Sequence, residues 1–227
     1  MGIDYNNIIV SDGLVFYIDA ANPRSYSGTG ITANGLVGGI AGTLVNGVGF
    51  TSSNNGSFIF DGSDDRINLP INPSLDISES ITLESFIYPT AYKNIGGPGS
   101  FIISKPDSYY LELSPEGKIR VAFISLSSEI YYDGNNTVPL NSWSHIVVTR
   151  DKNNSTINIY FNGTLDRSLS SITGNIKVQQ IYAVMMGSFS GGDYQLFGRI
   201  ANAKIYNRAL SATEILQNYN ATKGRYR

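Results

Sequence analysis

Residues 141–163, NSWSHIVVTRDKNNSTINIYFNG, decide the fold. The stretch opens on the chain's only tryptophan, Trp143, and alternates with period two over 143–150 and again over 156–161. Between the two runs stand Asp151, Lys152, Asn153, Asn154 and Ser155, which read as a polar turn, so the stretch is predicted to be a β-hairpin. In the second run Ile157, Ile159 and Phe161 share one face, and Asn158 and Tyr160 share the other. One face is then buried, and the other is wet or covered by a second sheet. Asn162 and Gly163 end the hairpin with a turn-forming pair.

Outward from this hairpin the same alternation recurs. Leu14, Phe16 and Ile18 fall on one face of a first strand, and further strands are expected over 57–69, 81–89, 101–104, 109–113, 118–124, 130–133, 176–186 and 194–206. Strands at a spacing of roughly 8–12 residues, with turn residues between them, are the signature of an all-β sandwich. Residues 32–50, rich in glycine, are expected to wander along the sandwich edge. No run repeats at a fixed period, which excludes solenoids and propellers. The expectation is one domain over 1–227, with a polar leader at 1–10 and a basic tail at 223–227. The helical signal is C-terminal. Ser211 and Glu214 form a capping box, followed by Ile215, Leu216 and Tyr219 on one face.

Composition narrows the function. A net charge of −2 with 15% charged residues leaves no basic field for nucleic acid. There is no cysteine, and no apolar run reaches membrane-spanning length. The opening residues, Met1 to Asn7, have neither a basic region nor an apolar run. A binding sandwich of this kind is expected in a virion assembled in the bacterial cytoplasm.

Three motifs carry a family resemblance. They are the tryptophan-led hairpin ending in Tyr160, Phe161, Asn162 and Gly163; FDGSDDRI at 60–67; and GRIANAKIYNRALSATEILQNYNATKG at 198–224. Together they resemble laminin-G-like domains of the concanavalin A-like lectin/glucanase superfamily, of the kind found in phage virion proteins, from Leu14 to Gly224. The resemblance implies an all-β, two-sheet antiparallel jelly-roll sandwich closed by a short C-terminal helix. It also implies a non-catalytic binding module, displayed as capsid decoration or as a fibre adhesin for cell-surface glycan. Phe86 stands where the family usually has tryptophan and is expected to keep an aromatic core plug. Ala201 and Asn202 replace an acidic pair common in the family, so no role of those acids carries over.

Catalysis finds little support in the residues. Retaining glycoside hydrolysis needs two carboxyls ~5–5.5 Å apart. The Glu-x-Asp-x-x-Glu spacing of the glucanase branch is missing, and Glu84 and Glu112 stand alone on their strands. The only histidine, His145, has no Gly-x-Ser-x-Gly elbow to serve and reads as a packing or hydrogen-bonding residue. Calcium is the better expectation. Asp61, Asp64 and Asp65 place hard oxygen ligands in one turn, with Asp133, Asn135 and Asn136, or Asp193, as a second ligand loop. The alternative is that Asp61 caps the turn with its own side chain while the other two are solvated. For a sugar, aromatic faces and amides are needed. Tyr109, Tyr131, Tyr132, Asn135, Asn136, Asp193 and Tyr194 are the expected contacts, although neighbouring tyrosines on a strand point to opposite faces. Glycan, other virion proteins or a second copy of the chain are the expected partners. A purely structural role in particle assembly, without glycan affinity, is the rival reading. The tail Lys223, Gly224, Arg225, Tyr226 and Arg227 reads as a solvated basic cluster or a dock for an acidic partner.

Overall fold

The computed structural model describes residues 8–92, 99–125, 131–189 and 194–226. In chain order the strands are β1 (Leu14–Asp19), β2 (Thr32–Asn34), β3 (Ala41–Val45), β4 (Gly49–Thr51), β5 (Ser57–Asp61), β6 (Arg66–Asn68), β7 (Ile81–Pro89) and β8 (Ser100–Lys105). They continue with β9 (Tyr109–Leu113), β10 (Lys118–Phe123), β11 (Tyr131–Thr137), β12 (Ser144–Asp151), β13 (Thr156–Phe161), β14 (Thr164–Leu169), β15 (Met185–Met186) and β16 (Phe197–Tyr206). An α-helix, α1 (Ala212–Thr222), follows. The first sheet has the order β14-β13-β12-β7-β16-β5-β4, with β1 also paired to β16. The second has the order β11-β10-β9-β8-β15-β6-β3-β2. The expected two-sheet antiparallel sandwich is what forms, and the glycine-rich 32–50 segment supplies β2, β3 and β4 at the sheet edges.

The deciding hairpin forms as β12 and β13, with Val148 opposite Ile159 and Val147 opposite Tyr160. Ile146, Val148, Ile157 and Ile159 enter the core between the sheets. Val147 and Tyr160 lie on the opposite face, buried with Tyr206, Leu210 and Ile215. The second face of the hairpin is therefore covered by α1 and not by a sheet. Each such side chain taken out of water contributes ~1.5–3 kcal/mol.

The capping box forms as the sequence predicts: the Ser211 side chain accepts from the Glu214 amide, and the Glu214 carboxylate accepts from the Ser211 amide at 2.8 Å. Glu214 also accepts two hydrogen bonds from Arg208, at 2.6 and 3.0 Å. The buried residues of α1 are Ile215, Asn218 and Thr222. Leu216, expected on the buried face, is 44% exposed. Phe86 is buried, but outside the inter-sheet core. It faces α1 and the tail, 4.8 Å from the His145 ring and 4.7 Å from that of Tyr226, centroid to centroid. The tail is solvated only in part: Lys223 and Gly224 are exposed, and Arg227 lies outside the described residues. A short turn over Lys223–Arg225 folds it back onto the first sheet, where Arg225 pairs with Asp19 at 2.6 Å and Tyr226 is buried.

The sheets trade strands at most connections. β5 belongs to the first sheet and β6 to the second, so residues 62–65 turn a corner between layers; residues 46–48 turn another, from β3 to β4. The rim of the sandwich is built of such corners. No helix is long and apolar enough to cross a membrane among the described residues.

Candidate functional site

The corner after β5 concentrates the acids. Asp61 ends the strand, and its Oδ1 accepts from the Ser63 amide at 2.8 Å, a side-chain turn that lets Gly62 take φ +77°. A Cβ at Gly62 would lie 2.8 Å from the Phe197 ring, so only glycine lets that ring close on the corner. Asp64 is exposed, and its carbonyl accepts from Asn46 of the neighbouring corner at 3.2 Å. Asp65 is the unusual member. It is 3% exposed, its Oδ2 accepts from the Asp61 amide at 2.9 Å, and its Oδ1 is buried without a hydrogen-bond partner. Burial, with Asp61 and Asp64 nearby, pushes its carboxyl above the usual range, against the opposing Asp61 amide.

One carboxylate oxygen from each of Asp61, Asp64 and Asp65 falls within 4.8 Å of the others. Carboxylate oxygens are the donor type that a hard cation takes, and Asp65 Oδ1 is buried there with no hydrogen-bond partner. Asp61 caps its turn, as the rival reading held, but Asp65 is not a solvated acid. Beside the cluster a hollow of about 290 Å³ is lined by Asp61, Gly62, Tyr92, Gln195 and Phe197, among others. Phe197 is 45% exposed there, and the Tyr92 hydroxyl donates to the Val138 carbonyl. Tyr92, Gln195 and Phe197 are not legible as site residues in the sequence: Tyr92 follows β7, Gln195 precedes β16, and Phe197 meets Asp61 only through strand pairing, directly opposite it.

The second ligand loop does not join this site. Asp133 lies on β11, five strands across the second sheet from β6, or ~24 Å at normal strand spacing. Its carboxylate is held by Arg120 at 2.5 and 3.1 Å. Asn135 and Asn136 are exposed, and their amides turn to Asp166, with the two backbone contacts at 2.7 and 3.1 Å. Asp193 lies outside the described residues.

The expected sugar contacts scatter as well. Tyr109 is fully buried, its hydroxyl donating to the Leu75 carbonyl at 3.1 Å, so it faces the core and not a ligand. Tyr131 is 40% exposed, with the Arg120 guanidinium 5.9 Å from its ring centre. Tyr132 points to the opposite face and lines a separate hollow of about 220 Å³ with Arg150 and Ile172. Tyr194 packs on Phe101 and Phe189, with centroids 6.0 and 6.2 Å away.

The titratable groups that first raised catalysis are closed off. Glu84 is fully buried and accepts from Lys204 at 2.6 Å and Asn218 at 2.7 Å, with His145 Nε2 at 3.1 Å. Burial pushes its carboxyl up, but Lys204 and His145 outweigh that and hold it well below the usual carboxylate range. His145 is itself fully buried, which lowers its basicity against the pull of Glu84. Glu112 is buried too. Burial raises it to about 7 despite Arg120, whose Nη1 is 3.6 Å away.

Comparison with known proteins places this geometry. A laminin-G profile described as the concanavalin A-like lectin/glucanases superfamily matches residues 61–216. No curated protein sequence gives a significant match. Among solved structures, the binding domain of Paraclostridial Mosquitocidal Protein 1 superposes with a TM-score of 0.73 at 17% identity, covering 92% of this chain and 52% of that one. Domain 4 of AbnA, an extracellular arabinanase from Geobacillus stearothermophilus solved in complex with arabinotriose, gives 0.68 at 17% identity, covering 92% and 98%. A botulinum neurotoxin type C structure, whose cell entry depends on interaction with two ganglioside molecules, gives 0.70 at 13% identity over 92% and 51%. The chain thus spans about half the length of the toxin binding domains it matches.

Proposed function

Because the chain belongs to the concanavalin A-like lectin/glucanases superfamily, we propose that it is a non-catalytic binding module whose rim holds calcium and takes a cell-surface glycan. The observation that carries this reading is Asp65, a carboxylate 3% exposed with one oxygen unpartnered, beside Asp61 and Asp64. Burying such an oxygen costs ~1–3 kcal/mol unless something satisfies it. Asp61, Asp64 and Asp65 would hold the ion, and calcium supplies further coordination positions for water or sugar hydroxyls. The adjoining hollow offers Phe197 and Tyr92 as apolar surfaces for a sugar ring. Arabinotriose on the arabinanase domain and the ganglioside dependence of the type C neurotoxin support a sugar as ligand. The enclosure of Glu84 and His145 in their own hydrogen bonds supports a non-catalytic role.

The setting we propose is a phage particle, with the module shown as capsid decoration or on a fibre. A sandwich without cysteine needs no oxidising compartment to fold. The test is a glycan array run once in calcium and once in chelator. Calcium-dependent binding to a defined glycan is the expected result. Silence in both conditions would overturn glycan attachment and favour a purely structural role in the particle.

A further inference from the structure

The outer face of the first sheet carries a second set of aromatic side chains, which the rim does not use. Trp143, just before β12, and Tyr226 of the tail stand with ring centroids 4.9 Å apart and planes tilted by 37°. Trp143 is half-buried and Tyr226 is buried, and the pair lines a hollow on either side. The hollow toward α1, about 300 Å³, is walled by Tyr219 and Lys223; the one toward β16, about 370 Å³, by Tyr88 and Arg199. Asparagines line both, Asn162 and Asn220 the first and Asn54 and Asn141 the second, and the Asn162 Oδ1 accepts from the His145 amide at 2.9 Å. Aromatic faces with amides beside them suit a pyranose, whose apolar face stacks while its hydroxyls exchange hydrogen bonds.

The charges define the class of sugar. The lining of the two hollows includes Arg199 and Lys223 and no aspartate or glutamate. The Arg199 guanidinium lies 5.2 Å over the Tyr88 ring, and Lys223 Nζ lies 4.9 Å over that of Tyr219. Neither cation has a carboxylate partner among the described residues, whereas Arg120, Arg208, Arg225 and Lys204 each have one. An arginine held over an aromatic ring beside an open hollow is placed to take a carboxylate by paired hydrogen bonds.

We propose that the paired hollows flanking Trp143 and Tyr226 bind an acidic oligosaccharide, with carboxylated sugars facing Arg199 and Lys223, and that this binding needs no metal. The site is separate from the rim acids, so it stands or falls independently of the calcium reading.

Trp143 is the only tryptophan, so its fluorescence reports this site directly. The protein is titrated in chelator with trigalacturonate and with sialyllactose, each against its neutral counterpart, galactotriose or lactose. The expected result is a saturable change in emission with one or both acidic sugars, and none with the neutral ones. Arg199→Gln and Lys223→Gln, both checked for an unchanged melting temperature, each weaken that binding by about tenfold or more. No saturable change with either acidic sugar overturns the site. An equal response to the neutral sugars, or full affinity in both variants, overturns the acidic specificity.

Discussion

At the scale of single residues, Asp19, Asp65, Glu84 and Glu112 all leave water, and beyond Asp19 with its Arg225 partner the other three meet three different neighbourhoods. Glu84 meets Lys204 at 2.6 Å, Glu112 has Arg120 at 3.6 Å, and Asp65 has only the Asp61 amide and two like charges. Removing the Glu84 charge leaves Lys204 buried without a counter-charge, so Glu84→Gln is expected to cost about 3–5 kcal/mol in urea unfolding at neutral pH. Because the folded state holds the Glu84 carboxyl below its ordinary 4.5, its contribution is present above that pH and is lost on further acidification. Glu112 works the other way. With its carboxyl raised from 4.5 to about 7, the folded state keeps a proton that the unfolded chain releases, and the penalty grows as pH rises through that window. Glu112→Gln is therefore expected to gain on the order of 3 kcal/mol at pH 8 and nothing at pH 4, read from denaturation midpoints at the two pH values. These assignments were not legible in the sequence, where Glu84 and Glu112 look alike as lone acids on strands. What separates them is a cross-strand partner from β16 in one case and from β10 in the other.

At the scale of elements, α1 shows where local sequence suffices and where it does not. Its start is written in Ser211 and Glu214, two residues that satisfy each other's orphan amides without help from the rest of the fold. Ser211→Ala is expected to cost about 1 kcal/mol, measured by thermal or urea unfolding. Its buried face was misread at Leu216, because 3.6-residue spacing gives a stripe while the docked orientation is set by Asn218. That polar side chain reaches Glu84 and the Tyr206 hydroxyl, at 2.7 and 2.9 Å. The tail was misread for a similar reason. Arg225 finds Asp19 across 206 residues of sequence, a contact that no local pattern announces.

At the scale of the whole molecule, period-two alternation made the sandwich legible, since the residues facing the core are apolar whatever their partners. Strand order is another matter. The DGSDD run reads as a turn between two strands; it is a corner between sheets, and Asp133 lies five strands across the second sheet from the strand that follows it. The rim site joins the end of β5 to the start of β16, and the hollows beside Trp143 gather residues from Asn54 to Tyr226. In both places the three acids and the tryptophan were visible in sequence, and the residues that complete the site were not. On the proposed function, the unpartnered oxygen of Asp65 is a calcium ligand. Calorimetric titration of calcium into the protein and into Asp65→Asn tests it most directly. One site with a dissociation constant of about 10⁻⁴–10⁻³ M, lost in the variant, is predicted; no binding heat in the unaltered protein, or equal binding by both, would contradict it.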